Sequence, residues 1–311
     1  MPTAAAATEN PMFIKITHAE SGASATVSLT GATVKSFVTA ACREVIFCSR
    51  LAKLDGSKAI RGGIPLCFPQ FGQPDKSMPQ HGFLRANQWK QGKSYEDEET
   101  GAAVCEFILT TLTDGMRDRG GKWAPGAEFQ CEATYSVKVE ANKLTTTLTV
   151  VNTGEVAIEG QQVLFHTYYA IEGKKSMDKE VCYVKGLTGY SVIDKVPGEG
   201  EPVEFVQGDE LVFVYKEIDR IYSNPHKPNL DLIISTGSNC NVKLQASGKV
   251  NDVQAATSVV VWNPYIEKAK SLSDFGDEQY HEMLCVEPGL LNNGPVDPGN
   301  TMVFEQVITA L

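Results

Sequence analysis

Polar and apolar residues alternate through much of the chain, in segments such as "SATVSLTGATVKSFV", "FQCEATYSVKVEANKLTTTLTVVNTG", "QQVLFHTYYAI", "TSVVVWNP" and "NTMVFEQVITAL". Val, Thr, Ile and Phe dominate these runs and turn residues separate them, as in half-buried strands. "YSVKVEANKLTTTLTVVN" predicts a hairpin that reverses at Ala141 and Asn142. A helical period is nearly absent, and "SNPHKP" and "EKAKSLSDF" support a turn or two each. No internal repeat and no low-complexity linker interrupts the pattern. The expectation is an all-β chain with few short helices: a large antiparallel β-sandwich forming a single domain over residues 11–311, behind a flexible tail over residues 1–10.

Composition narrows the class. With 311 residues and 42% hydrophobic content the chain has enough apolar surface for a large core. No run approaches the ~20 apolar residues that span a bilayer, and "MPTAAAATENPM" lacks the basic start and apolar stretch of a secretion signal. The eight cysteines include no CxxC pair and several lie inside apolar runs, so they are expected to be buried thiols. No Asn-x-Ser/Thr sequon occurs, in keeping with a cytoplasmic location. The net charge of −10, with no basic stripe, argues against nucleic acid or an anionic membrane as partner. An anionic small molecule would need positive charge gathered locally, which draws attention to Arg61 and Arg85 in "IRGGIPLCFPQFGQPDKSMPQHGFLRANQW". That stretch, rich in glycine and proline, reads as neither helix nor strand.

Ionisable groups inside apolar strands are costly to bury without a partner or a task. His166 lies in "QQVLFHTYYAI", where alternation sets it on one face with Leu164 and Tyr168, opposite Phe165 and Tyr169. By pattern alone it could equally be a core histidine bonded to a backbone carbonyl. Glu287 closes the apolar run "MLCVEPG" and could be a solvated residue at a strand mouth. Asp219 in "KEIDRIY" could pair with Arg220 at the surface. Other chemistries lack their signatures. The five histidines form no HxH or HExxH, there is no GxSxG, and "IRGGIP" has neither the Walker lysine nor GxGxxG spacing. "DFGDEQYHE" reads as an acidic surface loop.

Taken in order, "IRGGIPLCFPQFG", "QHGFLRANQW", "FHTYYAI", "DRIY", "VVVWNPYIEKAKSLSDFGDEQY" and "LCVEPG" resemble the motifs of the glucose-6-phosphate 1-epimerases. These hexose-6-phosphate mutarotases belong to the aldose-1-epimerase-like group, whose fold is the galactose mutarotase-like supersandwich. The resemblance covers Ile60 to Gly289; Leu84 and Tyr265 stand where many relatives have Ala and Trp, which bears on the fine shape of the pocket. It implies exchange of hexose 6-phosphate anomers by acid/base ring opening and closure. Glu287 would be the base at the C1 hydroxyl and His166 the acid at the ring oxygen, with Arg61 and Arg85 gripping the phosphate. Gln80 and His81 would face the sugar and Asp219 accept from its hydroxyls. An imidazole near its ordinary pKa of ~6.5 would supply a protonated fraction at neutral pH. No metal or other cofactor is required, the partner is the sugar phosphate alone, and a monomer is expected. The alternatives are an epimerase of unphosphorylated aldoses, with no use for the arginines, and a non-catalytic carbohydrate-binding sandwich that stacks sugar on Trp262 and Tyr168.

Overall fold

The structure, a computed structural model, describes residues 12–110, 130–196, 201–237 and 240–311. The expected flexible tail over residues 1–10 lies outside the described residues. Three antiparallel sheets account for most of what is described, with one helix, Tyr265–Ser271, and short 3-10 turns at Leu84–Ala86, Glu172–Lys174 and Gln279–Glu282. The expected antiparallel β-sandwich with few short helices is therefore what the chain forms.

The largest sheet holds ten strands. Its centre is the neighbouring set Asn241–Val250, Thr301–Ala310, Lys143–Asn152 and Cys131–Val139. Thr301–Ala310 and Lys143–Asn152 alternate between buried and partly exposed residues at every step, so one face packs and the other meets water. The expected hairpin is present, pairing Val139 with Leu144 across the turn at Ala141 and Asn142. A second sheet of eight strands runs Val203–Val206, Ser191–Asp194, Ile218–Ser223, Ser258–Asn263, Met283–Leu290, Val163–Phe165 and Leu66–Cys67, with Tyr168–Ala170 also paired to Met283–Leu290. The two sheets meet where Phe165 packs edge-on against Phe304, ring centroids 4.9 Å apart, and against Tyr135 at 5.8 Å. Between them Thr167 donates its hydroxyl to the Gln306 side-chain carbonyl at 2.8 Å, satisfying a buried polar pair inside the core.

Met283–Leu290 and Ser258–Asn263 are buried along their whole length, so the smaller sheet is covered on both faces. One cover is the large sheet. The other is made by the 60–89 stretch and by residues 265–282, which enclose a second apolar cluster containing Phe47, Leu164, Tyr168, Trp262 and Phe275. This corrects two expectations. "DFGDEQYHE" is not a surface loop, because Asp274, Phe275, Gln279 and Tyr280 are buried. The 60–89 stretch, too, contains a short strand, Leu66–Cys67, and a 3-10 turn, Leu84–Ala86.

Glycine makes this covering layer possible. Gly82 has a φ of +70°, and a Cβ placed there would lie 1.9 Å from the Phe68 carbonyl oxygen, which accepts the Phe83 N–H at 2.9 Å. Gly62, at φ +115°, lies against the Cys48 backbone. Gly82→Ala combines a strained φ with a backbone clash and is expected to cost roughly 2–5 kcal/mol of stability, read from urea denaturation midpoints.

Candidate functional site

Cross-strand register builds the site. Val260 pairs with Glu287, Cys285 with both Trp262 and Tyr168, and Asp219 with Trp262. Leu164 pairs with Gly289, so the two flanks of the interrupted strand share one register and His166 stands opposite Glu287. The interruption is held in place by bonds from the His166 N–H to the Pro65 carbonyl (3.0 Å) and from the Val286 N–H to the Thr167 carbonyl (3.2 Å). Alternation then sends His166, Tyr168, Trp262, Asp219 and Glu287 to the face away from the large sheet. The facing read from the sequence for His166 thus agrees with the packing, since Leu164 and Tyr168 join the second cluster while Phe165 and Tyr169 join the main core.

These side chains and the covering layer enclose a cavity of about 240 Å³. Arg61, Gln80, His81, Arg85, His166, Asp219 and Glu287 all line it. At its floor His166 Nδ1 lies 3.3 Å from Glu287 Oε1. Glu287 is not at a strand mouth but inside Met283–Leu290, only 1% exposed, and its Oε2 has no hydrogen-bond partner among the described residues. The His166 ring stacks on Tyr168, with centroids 4.8 Å apart and planes 10° from parallel, and meets Trp262 edge-on.

Burial raises the Glu287 carboxyl well above the usual range and nearby Asp219 raises it further. Burial lowers His166 well below an ordinary histidine, and its neighbours His81, Arg85 and Arg61 lower it further. Both directions favour neutral partners, a protonated carboxyl beside an uncharged imidazole. The expectation of a histidine titrating near its ordinary value is therefore corrected by desolvation. His81 accepts the Gly72 N–H on Nδ1 at 3.1 Å, which leaves Nε2 to carry the ring proton; burial and then Arg85 push its pKa down to about 2.

Asp219 does not pair with Arg220. It lies 3.4 Å from Lys195, while Arg220 bonds Asp194 at 2.8 Å. Arg85 donates to the Gln80 carbonyl at 2.9 Å, and Arg61 donates through Nε to Asp274 at 3.0 Å and through Nη1 to the Tyr168 hydroxyl at 3.3 Å. Leu84 and Tyr265 do not line the cavity: Leu84 is core, and Tyr265 packs on Tyr280. Sequence reasoning missed Lys195 and Lys268, which do line it, and Asp274 behind Arg61. Only the aspartate carried a signal, an acidic residue directly before phenylalanine in a run taken for surface. His166, Cys285 and Glu287 bring donor atoms within 4.8 Å of one another, but burial holds the Cys285 thiol far above its ordinary pKa, in the protonated state that binds metals poorly.

A buried carboxyl–imidazole pair thus lies in a cavity of a β-sandwich that four cationic side chains also line. Residues 12–309 match the model of the aldose 1-epimerase family, and the chain belongs to it. A protein of Cenchrus ciliaris named "Putative glucose-6-phosphate 1-epimerase" is 30% identical over 264 residues, covering 85% of this chain and 74% of its own. A protein of Escherichia coli K12 with the same name is 29% identical over 264 residues, 85% of this chain and 78% of its own. Among solved structures, a "putative mutarotase (YeaD)" of Salmonella typhimurium superposes with a TM-score of 0.73 at 22% identity, over 93% of this chain and 88% of its own. A "galactose mutarotase related enzyme" of Lactobacillus acidophilus gives 0.70 at 15%, over 96% and 97%. These structures share the galactose mutarotase-like fold. Among the described residues no helix is long and apolar enough to cross a membrane.

The shifted groups make stability depend on pH in opposite senses. Below pH 6.5 the unfolded chain binds a proton at His81 that the folded chain refuses down to about pH 2, so stability present above 6.5 is lost on acidification. Above pH 4.5 the unfolded chain releases a Glu287 proton that the folded chain keeps, so this group lowers stability as pH rises. In urea denaturation, His81→Asn is expected to gain on the wild type between pH 7 and pH 4, and Glu287→Gln to gain between pH 5 and pH 8 (about 6.5 and about 4.5 being the unfolded values).

Proposed function

We propose that this protein interconverts the α and β anomers of hexose 6-phosphates, glucose 6-phosphate foremost, with residues 11–311 acting as one catalytic unit. The observation that carries the reading is the charge of the cavity. Four cations, Arg61, Arg85, Lys195 and Lys268, face two carboxyl groups, Asp219 and Glu287, in a chain whose net charge is −10. Lys195 is taken up by Asp219 and Arg61 by Asp274, whereas among the described residues Arg85 has only the Gln80 carbonyl as a hydrogen-bond acceptor. Guanidinium groups suit a phosphate because their planar N–H edges match its oxygens. A neutral sugar would leave that charge unanswered.

The chemistry needs a proton taken from the C1 hydroxyl and one given to the ring oxygen, with reversal after the C1–C2 bond has turned. Glu287 Oε2, buried and unpartnered, would accept the hydroxyl proton. With the sugar phosphate bound, the proton kept on Glu287 would pass from Oε1 to His166 Nδ1, leaving a carboxylate, and the resulting imidazolium would donate from Nε2 to the ring oxygen. A phosphate dianion at Arg61 and Arg85 offsets two of the charges that hold His166 down, and so favours this protonated state. Gln80, His81 Nε2–H and Asp219 would fix the sugar hydroxyls, with Trp262 against its apolar side.

Positioned acid and base groups contribute ~10²–10⁴-fold each. His166→Asn is accordingly expected to cut turnover by at least about 100-fold in exchange NMR of the two anomers while phosphate-dependent binding persists. Arg61→Ala or Arg85→Ala is expected to raise KM for glucose 6-phosphate by about 10-fold or more and leave that for glucose little changed. Equal effects on the two sugars would instead point to an epimerase of unphosphorylated aldoses.

A further inference from the structure

We infer that Asp274 is a positioning residue that sets the direction of the Arg61 guanidinium, and with it the preference for a phosphorylated sugar; the inference rests on the phosphate reading above. Asp274 is buried, and its two carboxylate oxygens are divided between two cations. Oδ1 accepts from Arg61 Nε at 3.0 Å, and Oδ2 lies 2.7 Å from Lys58 Nζ.

A closed circuit of bonds fixes this arrangement. The Ser49 N–H donates to the Arg61 carbonyl at 3.0 Å, the Ser49 hydroxyl donates to the Asp274 carbonyl at 2.8 Å, and Arg61 Nε–H returns to the Asp274 carboxylate. Backbone and side chain of Arg61 are therefore referred to the same two residues. Gln279 ties the circuit down further, donating to the Ser49 hydroxyl at 3.2 Å and accepting the Arg50 N–H at 3.0 Å. Tyr168 provides the second point of orientation, since its hydroxyl accepts from Arg61 Nη1.

A guanidinium has five N–H groups in one plane. With Nε–H on Asp274 and one Nη1–H on Tyr168, three N–H groups, one on Nη1 and two on Nη2, are not engaged among the described residues, and Arg61 lines the cavity. Burial works against the Arg61 charge, but Tyr168 and Asp274 outweigh it and keep the group firmly protonated. Lys58 has an equally specific part. One aspartate between two cations leaves one net positive charge, so Asp274 orients Arg61 without cancelling the attraction it offers to an anion. Lys58 and Asp274 also line a second cavity, which shares Arg61, Gln80 and Arg85 with the first.

The test is kinetic and pairs two substrates. Asp274→Asn is expected to raise KM for glucose 6-phosphate by about 10-fold, with kcat within about 2-fold and the constants for glucose little changed. In an Arg61→Ala background the same substitution is expected to add nothing. Ser49→Ala, which opens the circuit without altering charge, is expected to shift the same KM by about 3-fold, and it serves if the Asp274 variant does not fold. Equal losses on both sugars, or additive losses in the Arg61→Ala background, would overturn the inference and leave Asp274 a purely structural residue. If Arg61→Ala discriminates between the sugars while Asp274→Asn and Ser49→Ala do not, the positioning role alone falls. If Arg61→Ala itself does not discriminate, the phosphate reading falls and takes this inference with it.

Discussion

A carboxyl group 1% exposed, 3.3 Å from an imidazole and with one oxygen unpartnered, is expensive to bury, and the rest of the molecule is arranged around keeping it there. The strand that carries Glu287 is covered on both faces, by the large sheet on one side and by the glycine-shaped layer on the other. That covering leaves Glu287 1% and His166 8% exposed, and such burial disfavours the charged form of each.

The same low-dielectric setting explains why the cations are so carefully held. Lys195 leans on Asp219 and the Phe71 ring, Arg61 on Asp274 and Tyr168, and Arg85 on a backbone carbonyl. Tyr168 connects the two halves of the site, because its hydroxyl takes a bond from Arg61 while its ring lies flat on His166. On the function proposed above, an anion at the arginines is one residue away from the imidazole assigned as proton donor. Orientation of the far end of a ligand and the chemistry at its near end share one rigid element.

The fold was legible in the chain because strand alternation is local. Each residue of Thr301–Ala310 or Lys143–Asn152 reports its own face through its own polarity, and the hairpin at Ala141 and Asn142 announces itself by its turn chemistry. The facing of His166 followed from the same rule. Asp274 did not, because its partners, Arg61 and Lys58, lie more than two hundred residues away. Lys195 was silent for the same reason: a lysine at the end of a strand looks solvated until a phenylalanine and an aspartate from other segments close over it. Asp219, read as a possible surface partner of Arg220, turned to the opposite face because neighbouring residues of a strand point to opposite sides.

By itself the sequence determined the class of the fold and the family, since patterning and ordered motifs are properties of the chain read along its length. Only the tertiary structure decided which charges meet. Register across Ser258–Asn263, Met283–Leu290 and the interrupted 163–170 strand placed His166 against Glu287 and sent the pair to the covered face. Protonation states were likewise decided there, because a pKa is set by burial and by charges a few ångströms away, and neither distance nor dielectric is written in the order of residues.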